Sequence, residues 1–129
     1  MRLVFHLTTR DAWEEALVRG RYTADSLASE GFIHCSDADQ FVWVANTRFR
    51  GRTDLILLHI SEARLDAAVR RENLEGGDAL FPHIYGPLTV EAVVGVSAFP
   101  PSTDGRFDHL AVLATQFIQK SIDTLHRHE

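Results

Sequence analysis

A chain of 129 residues has material for one hydrophobic core, and at that size neither a disulfide nor a structural metal is needed to hold it. Its 45% hydrophobic and 24% charged residues exclude wholesale disorder and collagen-like composition. Thirteen basic against eighteen acidic side chains leave a formal charge of -5, which argues against a protein that coats DNA or RNA.

Residues 2–8 alternate Leu3, Phe5 and Leu7 with Val4, His6 and Thr8, the pattern of a strand with two unequal faces and His6 near its end. The segment lacks the long apolar stretch and small-residue cleavage site of a signal peptide, and no run nears the roughly 18 apolar residues of a membrane span. Asp11 followed by Glu14 signals a helix start, with Trp13, Ala16 and Leu17 on its buried face and Gly20 as its C-cap. Arg21–Thr23 reads as a short edge strand and Ser26–Glu30 as a turn of helix. Residues 31–36 read as a short strand ending in polar groups. Ser36 or Asp37 is the expected cap of the next helix, whose core face carries Phe41, Val44, Ala45 and Phe49.

Leu55–Ile60 is an apolar run too short for an ordinary helix and typical of a central strand. A turn at residues 61–64 leads to a strand over 67–72, and Glu75, Gly76, Gly77 and Asp78 form a loop. Residues 81–87 interleave Pro82, Gly86 and Pro87 with Phe81, His83 and Tyr85, a composition expected in neither a helix interior nor a central strand. Residues 90–99 resume a strand, and residues 107–125 space their apolar side chains as a helix. The expected architecture is one α+β domain over residues 1–129, its strands gathered without the regular alternation of a doubly wound sheet. Cys35 has no second cysteine in the chain to bridge to, and the expected location is the cytoplasm.

Chemistry points to the histidines. Of seven, His126 and His128 belong to the terminus, His109 opens the last helix, and His59 sits inside the apolar strand as a core residue. His6, His34 and His83 each end or interrupt a strand beside small polar groups, where rigid elements hand over to site-forming loops. Three imidazoles in that setting predict one shared cleft. Cys35 follows His34 directly, so in an extended strand it faces the core when His34 faces the cleft. Glycine-rich phosphate loops and a Gly-x-Ser-x-Gly elbow are absent. Two or three histidines with Glu72 offer a metal-ligating alternative, although neither paired cysteines nor His-x-x-x-His spacing occurs. Arg48, Arg50 and Arg52 crowd the end of the second long helix, either as a solvated last turn or as a clamp for a diphosphate. Glu72, Glu75 and Glu91 are the carboxylates near apolar or glycine-rich sequence.

With His6-Leu7-Thr8, Gly31-Phe32-Ile33-His34-Cys35-Ser36, Arg70-Arg71-Glu72 and Phe81-Pro82-His83-Ile84-Tyr85-Gly86-Pro87 in this order, the chain resembles the bacterial domain-of-unknown-function family 952 from about residue 2 to residue 99. That family is similar, more remotely, to the ADP-ribosyltransferase fold, including the NAD-dependent RNA 2'-phosphotransferases. The resemblance implies split mixed sheets with flanking helices and NAD, as a substrate, in the cleft between them. It implies that His6, with Thr8 beside it, meets a ribose hydroxyl. His34 would pack near the nicotinamide ribose, Ser36 would hold the carboxamide, and His83 with Tyr85 would present an aromatic surface. A catalytic glutamate, where one is used, falls on Glu91 by order or on Glu72. The acceptor implied is RNA or protein. A nucleotide- or metabolite-binding module without catalysis is the other class that these residues allow.

Overall fold

The structure is a computed structural model that describes residues 2–74 and 76–114. Strand β1 (Leu3–Thr9) leads into helix α1 (Arg10–Arg19), a two-residue strand β2 (Arg21–Tyr22), helix α2 (Asp25–Glu30) and strand β3 (Ile33–His34). Helix α3 (Phe41–Arg48) follows, then strands β4 (Leu55–Ser61), β5 (Ala68–Glu72), β6 (Phe81–Tyr85), β7 (Leu88–Thr89) and β8 (Val93–Ala98). A single 3-10 turn separates β4 from β5 (Glu62–Arg64) and another separates β7 from β8 (Val90–Ala92).

Strands β1, β4 and β8 form one sheet with β4 in the middle, and β3, β6 and β5 form a second with β6 in the middle. Strands β2 and β7 pair alone. All these pairings are antiparallel, so the fold is α+β as expected but its sheets are not mixed. A parallel pair needs a long crossover that returns the chain in the same direction, and each neighbouring strand here arrives reversed.

The apolar run of β4 is buried at every position, because both faces of its sheet are covered. Ile56, Leu58 and Ile60 join Val4, Trp13, Tyr22, Ile33 and Ile84 on one side. Leu55 and Leu57 join Phe5, Leu7, Phe41, Phe99 and Phe107 on the other. Each fully buried aliphatic or phenyl side chain contributes roughly 1.5–3 kcal/mol of transfer free energy.

Several elements differ from the sequence expectation for identifiable reasons. Helix α1 is capped by Thr9, whose hydroxyl oxygen accepts from the Ala12 amide at 3.1 Å, two residues earlier than the Asp11–Glu14 pair suggests. Gly20 is its C-cap at φ 82°, as expected, and Leu17 lies exposed. Helix α3 starts later than a Ser36 or Asp37 cap requires. Gln40 precedes it, with its side-chain oxygen accepting from the Asp37 amide and its side-chain nitrogen donating to the Leu80 carbonyl, both at 2.8 Å.

The largest correction concerns residues 81–87. Despite Pro82, β6 is a central strand. In an antiparallel ladder the N–H and C=O of one residue point to the same neighbour. Pro82 accepts from the Cys35 amide at 3.0 Å, so its missing N–H falls on the β3 side, just past the two residues where β3 pairs. The β5 side, where Arg71 lies opposite Pro82, keeps its five-residue register. The expected strand over 90–99 is interrupted by the 3-10 turn at Val90–Ala92. Of the expected helix over 107–125, Asp108–Val112 is a 3-10 turn, and residues 115–129, with His126 and His128, lie outside the described residues. Among the described residues no helix is long and apolar enough to cross a membrane.

Candidate functional site

The two three-stranded sheets share the core in which Val4 and Leu58 meet Ile33 and Ile84, and among the described residues one isolated backbone bridge joins them: the Phe5 and Ser36 amides each donate to the other's carbonyl, at 2.8 and 2.7 Å. The gap beside the bridge is a cavity of about 180 Å3 whose wall includes His6, Ser26, His34, Ser36, Arg48 and Phe81. Strand β1 supplies His6, β3 and its exit supply His34 and Ser36, and the last turn of α3 supplies Arg48. The Ser26 hydroxyl donates to the Phe32 carbonyl at 2.7 Å and ties α2 to the start of β3.

His6 is buried and held at both ring nitrogens. Its Nδ1–H donates to the His34 carbonyl at 2.5 Å, and Nε2 lies 2.8 Å from the Tyr22 hydroxyl. Burial pushes its pKa down to about 4, so the ring is neutral near pH 7. A neutral ring that donates through Nδ1 must accept at Nε2, which makes the Tyr22 hydroxyl the donor. The Thr8 hydroxyl, 3.0 Å from that of Tyr22, then donates to the Tyr22 oxygen. This directed chain fixes the imidazole plane against Tyr22, with ring centroids 5.1 Å apart.

His34 projects from the outer face of the β3–β6–β5 sheet, where Nε2 meets the Glu30 carboxylate at 2.8 Å. His83 lies opposite it in register and edge-on, with ring centroids 5.3 Å apart. His83 is fully buried, stacked on Phe32 at 4.1 Å and facing the Glu72 carboxylate through Nδ1 at 3.1 Å. The Tyr85 hydroxyl donates to the same Glu72 oxygen. Those bonds, from Tyr85 first and His83 second, hold the Glu72 carboxyl below the usual carboxylate range, and Glu72 in turn raises the Tyr85 phenol. The Arg70 guanidinium stands 4.8 Å from the centre of the Tyr85 ring. Strand alternation explains the grouping, since residues 34, 83, 85, 70 and 72 share one face while Ile33, Cys35, Ile84 and Val69 share the other.

Of the three imidazoles expected in one cleft, those of His34 and His83 pair on one face of the β3–β6–β5 sheet, while the His6 ring packs on Tyr22 and meets the His34 backbone carbonyl. His6 and His34 line the cavity, whereas His83 packs behind His34. Ser36 and Arg48 line it too. Thr8 lies on a neighbouring hollow of about 320 Å3 that shares Leu7 and Phe49 with the first. Arg50 does not reach the cavity and packs beside Gly105. Arg52 is held by both oxygens of Asp54 at 3.0 and 2.7 Å, which removes the three-arginine clamp. Glu91 is exposed on a 3-10 turn whose carbonyl accepts from Arg64, and it does not line the cavity. Glu72 also stays outside the cavity wall. Cys35 is buried in the core as expected, with its thiol pKa pushed far up by desolvation. His59 is a core residue, 2.8 Å from the Ser97 hydroxyl, and His109 is exposed. Among the described residues no three His, Cys, Asp or Glu side chains are grouped to hold a metal ion.

Tyr22, Phe32 and Trp43 complete the site, and sequence reasoning did not single them out. Tyr22 reads as the tail of an edge strand, and only its tertiary partner His6 reveals its role. Trp43 carries a signal: it falls off the apolar face formed by Phe41, Val44, Ala45 and Phe49, where a large ring has no packing reason to be.

The model of a protein family described as "Protein of unknown function (DUF952)" matches residues 7–96. The chain belongs to that family. The DUF952 match runs from within β1 to within β8 and includes every cavity residue except His6, which lies one position before it. The chain is similar to the crystal structure of protein CC0527 from Caulobacter crescentus, with 34% identity and a TM-score of 0.74, covering 84% of this chain and 98% of that one. A double mutant of CC0527 matches at 33% identity with the same coverage and TM-score. The solution NMR structure of CC0527 matches at 34% identity and a TM-score of 0.74, covering 87% of this chain and 99% of that one. No curated protein matches.

Proposed function

We propose that this DUF952 chain binds an NAD-type dinucleotide in the cleft beside the Phe5–Ser36 bridge and transfers its ADP-ribosyl group to a phosphate-bearing acceptor. The observation that carries the reading is the meeting of His6, His34, Ser36 and Arg48, from three separate elements, on one cavity. At about 180 Å3 that cavity suits one ribose with its ring, while sites for whole ligands of drug size run to roughly 300–1,000 Å3. A second hollow of about 470 Å3 adjoins it and shares Arg48 and Phe81, so a dinucleotide has room to continue past the arginine.

In the transfer, the bond from ribose C1 to the nicotinamide nitrogen breaks and nicotinamide leaves with the bonding pair. An acceptor phosphate oxygen then forms the new bond to C1. The cation developing at C1 needs a negative partner. Neither Glu72 nor Glu91 lines the cavity, so an acceptor that brings its own phosphate charge fits better than one that depends on a protein carboxylate. His6, locked by Tyr22 and by the His34 carbonyl, shapes the ribose pocket, and Arg48 offers its fork to the diphosphate. The cationic fork and the neutral imidazole thereby divide the work of orientation.

Incubation with NAD and a 2'-phosphorylated oligoribonucleotide tests the reading through nicotinamide release. The expected result is release that requires the phosphate and falls at least tenfold in Arg48→Ala. Release equal with and without the phosphate, or none at all with phosphorylated RNA, nucleotide and protein acceptors, defeats it. One feature favours a binding module without catalysis: both ring nitrogens of His6 are already committed within the fold. In that case NAD binds and no acceptor releases nicotinamide.

A further inference from the structure

The hollow of about 470 Å3 on the far side of Arg48 is built differently from the cavity beside the bridge. Its floor is aromatic: Trp43 on α3 is 57% exposed, and its ring lies 6.0 Å from that of Phe81 at 33°. Asp39 and Asp78 also line it, and Arg48 and Phe81 belong to both cavities. The walls are braced. Gln40 bonds α3's entry to the Leu80 carbonyl at 2.8 Å, and the Asn73 side chain donates to the Gly77 carbonyl across the loop.

We infer that this outer hollow is a nucleobase subsite, in which an adenine ring stacks on Trp43 with its amino edge toward Asp39 and Asp78 and its phosphate on Arg48. The charges orient the ligand. A carboxylate lining repels phosphate and accepts N–H donors, while a guanidinium does the reverse, so base and phosphate have one favourable arrangement along the groove. An exposed indole over a second ring is a platform for a planar heterocycle, and such stacking is worth roughly a five- to hundredfold change in affinity per base. The acidic lining also makes the groove a poor host for a long polyanion, in keeping with the chain's charge of -5. The inference rests on the proposed dinucleotide reading only in assigning both cavities to one ligand.

Adenosine 5'-monophosphate tests the outer subsite alone, because it carries no nicotinamide. Calorimetry and tryptophan quenching are expected to show saturable binding by the wild type, with quenching lost in Trp43→Phe. Affinity should fall at least fivefold in Trp43→Ala and largely survive in Trp43→Phe, which keeps a stacking ring. Ribose 5-phosphate, without a base, and purine riboside 5'-monophosphate, without the amino group, should bind at least fivefold more weakly. Equal affinity for the wild type and Trp43→Ala overturns the inference. So does quenching by nicotinamide mononucleotide in place of the adenine nucleotide, which would reverse the ligand. If NAD perturbs His34 and Ser36 while Trp43→Ala changes nothing, the subsite fails and the transferase reading stands. Adenine nucleotide bound at Trp43 without any effect of NAD on His34 upholds the subsite and defeats the transferase reading.

Discussion

The buried imidazole of His6 makes the stability of this domain depend on pH in a calculable way. With a pKa of about 4 in the fold and about 6.5 when unfolded, the ring binds more protons in the unfolded chain throughout the interval between those values. Its contribution is therefore complete above about pH 6.5 and is lost as the pH falls toward 4. Between pH 7 and pH 5 the loss is about 2 kcal/mol from His6 alone. His59, whose pKa burial also lowers to about 4, steepens the same slope from the other side of the β1–β4–β8 sheet. Urea unfolding followed by circular dichroism at pH 5, 6 and 7 measures the total. His6→Asn, whose amide donates to the His34 carbonyl but does not titrate, should lose some stability at pH 7 and about 2 kcal/mol of the pH dependence. An unchanged slope in His6→Asn would mean that His6 is not held neutral, and the Thr8–Tyr22–His6 direction of donation would fall with it.

Three further outcomes follow from packing and hydrogen bonding. Cys35 should resist a disulfide-exchange reagent in the native state and react only on unfolding, because its buried thiol does not ionise near neutral pH; rapid native labelling would contradict this. Gly86→Ala places a methyl carbon 2.9 Å from the Ala67 side chain, and the resulting shift of the β6–β7 corner should cost about 1–3 kcal/mol in urea unfolding. Glu72→Gln removes the carboxylate that raises Tyr85, so an alkaline absorbance titration should show one tyrosine midpoint moving down toward the usual value near 10.

The sequence carried the parts of this fold that depend on local pattern. The apolar run at Leu55–Ile60 could be read as a central strand because every position is buried, and Gly20 marks a helix end with left-handed backbone; Gly31, read as the start of a strand, caps α2 in the same way. What local pattern does not reveal is which side of a strand a missing N–H will face. Pro82 breaks the usual prohibition because its lost bond falls where β3 has already stopped pairing. The same limit applies to the site. His6 and His34 could be named from their strand-end positions and Ser36 from the family resemblance, yet whether Arg48 or Arg50 turns inward depends on where α3 ends. The choice between Glu72 and Glu91 depends on tertiary placement, and the cavity wall includes neither. Tyr22 was silent because one tyrosine in a short edge strand looks like any other until β1 lies beside it.

The most direct test of the dinucleotide reading is an NMR titration of the isotopically labelled chain with NAD, following the His34 and Ser36 amides and the imidazole signals of His6 and His34. Saturable shifts at those positions, weakened at least tenfold in Arg48→Ala with its fold intact, are the predicted result. Saturation of shifts elsewhere in the molecule, or no shift at the Phe5–Ser36 bridge at millimolar NAD, would contradict it.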